Sequence, residues 1–274
     1  MTTKLDISIG PVQGFVEQSR RTRDLWGSSY LLSFLAAHAM RGAEEAGGKI
    51  VRPVVNLDPL FLWVSGTRHG EAPRIGSVPN HFVIEVEGDA AAGTAAAIAA
   101  AARGAFDAAW EKVHEAVWRR FVKPACSRGE GTEKIWRRQV AAFWEVSWTA
   151  GPADGGSLLA RRKHWRVHRP PDEPGDKCTV MHDHQELSGY IRAQARARGR
   201  ENQDAFWSGV RESDGVTDRD LRPDERLSAI ALVKRLFPLV AHDALGWNVE
   251  MTRWPSTTEI AARGDKGESP QFYA

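Results

Sequence analysis

The side chains best suited to chemistry cluster in three places. In "CTVMHDH", Cys178, His182 and His184 are soft and borderline ligands within seven residues of one another. Zinc takes such ligands, but a closed structural site needs four, usually with Cys-x-x-Cys pairs, and the position three after Cys178 is Met181. A half-buried loop with solvated histidines is the competing reading. Two His-Asp dipeptides, His182-Asp183 and His242-Asp243, would need distant partners on packed helices to make a metal-dependent phosphohydrolase. The second place is "RRKHWRVHRP", where Arg161, Arg162, Lys163 and Arg166 surround Trp165. Cations interleaved with an aromatic ring suit a nucleic-acid backbone and its bases, and a solvated loop is the alternative. The third is Gly27-Ser28-Ser29, following Arg23. Hydroxyls and backbone N–H groups at a helix start can hold phosphate or ribose, and either serine could simply cap the helix behind it. No Walker loop, G-x-S-x-G or H-E-x-x-H pattern occurs.

The elements that would position these groups are legible from periodicity. Leu5, Ile7 and Ile9 alternate with Asp6 and Ser8, which predicts a strand. Gly10-Pro11 ends it and opens a short helix with Val12, Phe15 and Val16 on one face. A second helix is predicted from about Ser29 to Glu45, so that 27–29 reads as a loop. "IVRPVVNL" and "PLFLWVSG" read as strands about Asp58-Pro59, and "NHFVIEVEG" as another, with Phe82, Ile84 and Val86 on one face. Residues 90–122 form an alanine-rich helix striped by Ile98, Ala102, Phe106, Trp110, Val113 and Val117, since alanine has the highest helix propensity. "FWEVSWTA", 143–150, is the last strand. Composition changes after Ala150 at "GPADGG", a linker signal. Helices are expected over 185–210 and 224–237, the latter lined by Leu227, Ile230, Ala231, Lys234 and Leu236, and a helix-like pattern recurs from Ser256. The whole predicts an α+β protein. A ferredoxin-like unit occupies 1–155, and a smaller, mostly helical region occupies 156–274.

Bulk properties narrow the classes. With 274 residues, 42% hydrophobic and 26% charged, the chain can bury a substantial core. A net charge of +2 gives no global field for a polyanion, so any such partner must be met by a local patch. Two cysteines, Cys126 and Cys178, argue against a disulfide scaffold and fit a reducing cytoplasm. There is no apolar run long enough to span a membrane and no signal-peptide pattern at the N-terminus. The eleven tryptophans predict large aromatic anchors in a core or interface.

The stretch "IGPVQGFVEQSRRTRDLWGSSYLLSFLA" closely resembles the start of the first palm-like domain in the large subunit of type III-B (Cmr-type) CRISPR effector complexes. The matching positions include Gly10, Pro11, Gln13, Phe15, Thr22, Arg23, Asp24, Leu25, Trp26, Gly27, Ser28, Leu31, Leu32 and Ser33. Further similar blocks follow in order: "SVPNHF", "WRRQVAAFWEVSW", "KCTVM", "DAFW", "ERLSAIALVKRLF" and "WPSTTEIA". The resemblance implies two palm-like ferredoxin domains with ATP and Mg²⁺ in a groove between them. It implies synthesis of cyclic oligoadenylate after target RNA binding, with other effector subunits and guide RNA as partners. It places Arg23, Gly27, Ser28 and Ser29 beside the nucleotide, and Gly10, Pro11, Gln13, Phe15 and Trp26 in the structural motif. The family's catalytic aspartates lie in a Gly-Gly-Asp-Asp hairpin of the second palm, and this sequence contains no Asp-Asp pair. The motif begins at residue 7 and the sequence stops where the second palm would begin. The resemblance therefore implies the first part of such a subunit, without the optional HD nuclease domain and inactive alone. Met181 and Ser228 stand where cysteines are expected, which implies a packed, zinc-free version of the small domain. An architectural piece that docks neighbouring subunits and guide RNA is the alternative function.

Overall fold

The computed structural model describes residues 2–67, 71–87, 91–152, 156, 159 and 173–249; at 91, 92 and 195–197 only the backbone is described. Strand β1 (Thr2–Gly10) leads through a cis Gly10-Pro11 peptide into the short α1 (Val12–Val16) and then the long α2 (Thr22–Glu45). β2 (Lys49–Arg52), α3 (Pro59–Val64), β3 (His81–Glu87) and α4 (Ala91–Val117) follow. α4 runs on through a π-helical turn (Trp118–Val122) and a 3₁₀ turn (Lys123–Arg128). α5 (Thr132–Ala142) and β4 (Glu145–Pro152) complete the first part; α6 (Arg192–Arg211), α7 (Ala229–Leu236) and α8 (Ala241–Leu245) form the second.

The strands make one four-stranded sheet in the order β2-β3-β1-β4, with every neighbouring pair antiparallel. Directly opposed residues share a face. Ile7 therefore aligns with Phe82 on one side and Trp148 on the other, and Leu5 with Ile84 and Ala150. This face is apolar and buried through β1 and β3, while Trp148 on the edge strand β4 is exposed, and α2 and α4 pack on the sheet and on each other. The α2–α4 approach explains the alanine run. A Cβ on Gly42 would lie 2.6 Å from the Ala105 Cβ and 2.8 Å from the Ala101 carbonyl oxygen, so only small residues allow this spacing. The alternate residues Lys4, Asp6 and Ser8 share the other face with Glu85, Val83 and His81. There His81 Nε2 stands 3.3 Å from an Asp6 carboxylate oxygen.

The α+β expectation holds. Four local expectations do not, one being the helix expected over 185–210, which begins only at Arg192. "PLFLWVSG" forms the helix α3, started by Asp58, whose carboxylate accepts from the Phe61 N–H at 2.9 Å. Proline at the first helical position and an Asp N-cap outweigh a short apolar run that also fits a strand. β2 stops at Arg52, because Pro53 has no N–H for the ladder. α2 begins at Thr22, seven residues earlier than its pattern suggests.

The second part packs directly on the first. α7 is buried along its whole length, and the core cluster runs from Leu5 to Leu245. Trp26 stacks on Tyr30 with ring centroids 5.1 Å apart, and the Trp247 indole N–H donates to the Tyr30 hydroxyl at 2.8 Å. Trp247 also meets Trp63 and Phe34, so several of the tryptophans serve as core anchors around α2.

Candidate functional site

The segment from Gly10 to Ser33 turns from the end of β1 into the first turns of α2. Phe15 is fully buried between Phe143 and Trp144, whose ring centroids lie 5.6 and 4.8 Å away. α1 is too short to satisfy its own last carbonyls. Lys234 of α7 reaches the Phe15 carbonyl of α1 at 2.6 Å, and its Nζ also donates to the Gln18 carbonyl just beyond the helix at 2.7 Å. Burial pulls the Lys234 ammonium down to about 8, opposed by nearby Asp24 and reinforced by Arg235. Gln13 is exposed, and the Trp26 indole N–H donates to the Arg74 carbonyl at 3.2 Å.

In the first turn of α2 a network of buried charges begins. Asp24, 1% exposed, faces Arg235, 2% exposed: Arg235 Nη2 donates to Asp24 Oδ2 at 2.6 Å, and Nε stands 2.6 Å from Oδ1 as a close ion-pair contact. Arg235 also donates to both Glu225 carboxylate oxygens at 3.0 and 3.1 Å and to the Asp220 carbonyl at 3.0 Å. Arg21 closes on Glu225 at 3.0 Å, and Arg23 pairs with Asp220. Burial disfavours the Arg235 charge, but Asp24 and Glu225 outweigh it and its pKa is raised. Asp24 also suits the first turn of α2, where the helix dipole favours a negative charge.

This geometry corrects the reading of residues 27–29. They lie inside α2, so their N–H groups belong to the helix ladder rather than to a helix start, and no serine caps a helix at Tyr30. Glycine eases a close approach at 27: a Cβ there would meet Phe237 at 3.3 Å and the Lys234 carbonyl at 3.4 Å, so either neighbour would have to give slightly. Ser28 is fully buried and its hydroxyl donates to the Asp24 carbonyl at 2.6 Å, with the Leu25 carbonyl at 3.0 Å. Ser29 is exposed, one turn beyond Leu25, which is also exposed. Of the four residues assigned to the nucleotide, Ser29 presents its side chain to solvent, Arg23 is largely engaged by Asp220, and Gly27 and Ser28 face the α7 side of the helix.

The candidate metal ligands are not brought together. Cys178 is buried and its sulfur accepts from the N–H groups of Val180 and Met181 at 3.4 and 3.2 Å. His182 is exposed, and His184 is half-buried against Phe143, where burial lowers its pKa. Among the described residues no three His, Cys, Asp or Glu side chains form a metal-binding group. Met181 is buried in the core, and Ser228 caps α7 by accepting from the Ala231 N–H at 3.3 Å. The basic candidates Arg161, Arg162, Lys163, Trp165 and Arg166 lie outside the described residues, as does the pattern from Ser256.

The residues missed from sequence are Lys234, Arg235, Glu225 and Asp220. One signal was present: adjacent charges, Lys234-Arg235, inside an otherwise apolar helix, which burial permits only when both are partnered.

The fold is thus an α+β unit whose N-terminal motif is joined to a helical region by buried charges. Residues 5–115 match the family model described as CRISPR-associated protein Cmr2, N-terminal. Over these residues the chain is similar to the N-terminal region of Cmr2. It is 35% identical over 89 residues to the CRISPR system Cmr subunit Cmr2 of Pyrococcus furiosus, a match that covers 31% of this chain and 10% of that protein. Two solved structures share its fold. The type III-B Cmr-beta apo state aligns with a TM-score of 0.51 and 14% identity over 93% of this chain and 34% of the other. Cmr-beta bound to cognate target RNA aligns with a TM-score of 0.55 and 15% identity over 97% and 37%. The chain thus spans about a third of the length of these structural relatives.

Proposed function

We propose that the chain acts as the N-terminal part of the large subunit in a type III-B RNA-guided effector complex. In this reading β1 to β4 form a ferredoxin-like, palm-like unit over 1–155, followed by a helical region over 156–274. The observation that carries the reading is the antiparallel order β2-β3-β1-β4 with the long helices α2 and α4 following β1 and β3 on one face, joined to the Cmr2 N-terminal match. Neighbouring effector subunits, guide RNA and target RNA are its partners, in the cytoplasm. The unit supplies one wall of an ATP groove for cyclic oligoadenylate synthesis. Ser29 reaches the ligand from that wall, and Arg23, Gly27 and Ser28 seat the helix that carries it. The chemistry itself needs a metal-binding aspartate pair that this sequence does not contain, so Mg²⁺-ATP would be held here and transformed by residues elsewhere.

A specific observation favours the architectural reading as the second. Arg23, Gly27 and Ser28 all serve the α2–α7 junction, which leaves the motif a structural purpose without a nucleotide. Equilibrium binding of ATP to the chain, with and without Mg²⁺, separates the two. Weak, saturable binding that Ser29→Ala reduces supports the groove; no binding, with retained co-purification alongside the other effector subunits, supports the architectural role. Failure to co-purify with those subunits sinks both.

A further inference from the structure

We propose that the first half of α6 and the cleft beneath it form a contact surface for the phosphate backbone of single-stranded RNA. This rests on the effector-complex reading for its choice of polyanion, and on the following geometry for its location. From Leu187 to Arg200 the sequence has no acidic residue and four arginines, Arg192, Arg196, Arg198 and Arg200. On a helix of 3.6 residues per turn, 192 and 200 share one face and 198 points to another, so positive charge is spread around the helix rather than gathered on one spot. Such a distribution fits an extended polyanion better than a single small anion.

The cleft, about 170 Å³, lies where Arg192, Arg200 and Gln203 of α6 face Lys177, Thr179 and Arg226. Four carboxylates also line it, and three are already committed. Asp176 accepts from Arg192 Nε and from the Gln203 amide, each at 2.7 Å. Asp204 pairs with Arg226. Glu186 is buried and accepts from the Trp207 indole at 2.7 Å and the Ser188 N–H at 2.9 Å. These pairings hold the Arg192 and Arg226 guanidiniums in place, and each guanidinium has five donors, more than its contacts use. Arg198 and Arg200 are exposed and have no hydrogen bond or ion pair among the described residues. Asp224 at the rim is likewise without a partner there, so it opposes only part of this charge. The result is two positioned guanidiniums beside two free ones.

The test is fluorescence anisotropy of a labelled oligouridine titrated with the chain across a series of KCl concentrations. Wild-type chain should bind, with log K falling linearly against log [KCl]. Arg198→Glu/Arg200→Glu should weaken binding at least tenfold and lower the salt slope by about 1.4, at ~0.7 per lost phosphate contact on a single strand. Neither arginine supports the fold, so the variant should keep its helical circular dichroism. Arg103→Glu/Lys49→Glu, which makes the same change of net charge on α4 and β2, should leave affinity within about twofold. An α6 variant that binds like this control, or a wild-type chain that does not bind oligouridine, overturns the proposal. If the α6 variant instead loses co-purification with effector subunits while RNA binding is unchanged, the surface serves an acidic protein partner and the RNA assignment fails. Intact assembly with no RNA effect sinks this surface alone and leaves the effector-complex reading standing.

Discussion

Replacing Asp24 with alanine should be among the most damaging single changes in the chain. The carboxylate is 1% exposed and its partner Arg235 is 2% exposed, so solvent screens neither. Removing one member of a buried ion pair leaves an uncompensated charge, which costs about 3–5 kcal/mol. Arg235 keeps Glu225 at 3.0 and 3.1 Å and the Asp220 carbonyl at 3.0 Å, which places the loss near the lower end, about 3 kcal/mol. Replacing both partners by apolar residues, Asp24→Leu with Arg235→Met, removes the stranded charge, and should recover about 1–2 kcal/mol relative to the sum of the single losses. Glu225 then keeps Arg21 as its counter-charge. The assay is urea unfolding followed by tryptophan fluorescence and far-ultraviolet circular dichroism, with the double-mutant coupling as readout. An Asp24→Ala loss below about 1 kcal/mol, or strictly additive single losses, would refute the claim that this pair joins α2 to α7.

Three further outcomes follow. The chain incubated with ATP and Mg²⁺ or Mn²⁺ should form no cyclic oligoadenylate, because no Asp-Asp pair is present to hold the metals; product above a buffer blank, by chromatography, would mean another carboxylate set does the chemistry. Elemental analysis should find less than one zinc per chain, since Met181 packs in the core and Ser228 caps α7; one tightly held zinc would promote Cys178, His182 and His184 to ligands. Lys234 makes stability rise with alkalinity. Its folded value, about 8, lies below its ordinary 10.5, so between these pH values the unfolded chain binds more protons and unfolding becomes harder as pH rises. The gain saturates near the unfolded value at about 3 kcal/mol or less, and Lys234→Met should abolish the slope between pH 8 and 10.5 in denaturant midpoints.

Much of this protein is written in local pattern. The alternation of Leu5, Ile7 and Ile9, the Gly10-Pro11 corner and the alanine-rich stripe of α4 each specify their element without help, because period and propensity agree over many residues. The motif from Gly10 to Ser33 was legible as a unit, and the family match falls on it. Its chemistry was not. Gly27-Ser28-Ser29 looks like a loop in isolation, since glycine and serine favour turns and caps. Packing overrides that preference: the glycine admits Phe237 and the Lys234 carbonyl, and the Ser28 hydroxyl folds back on the helix. "PLFLWVSG" was ambiguous for the opposite reason, being too short for its period to separate strand from helix. The buried charges lay furthest beyond reach. Asp24 and Arg235 are separated by 211 residues; the apolar run around Arg235 hints at burial, but nothing in either local stretch names the partner. Only the tertiary fold brings them within 2.6 Å of each other, and an ion can leave water there only because its counter-ion arrives with it.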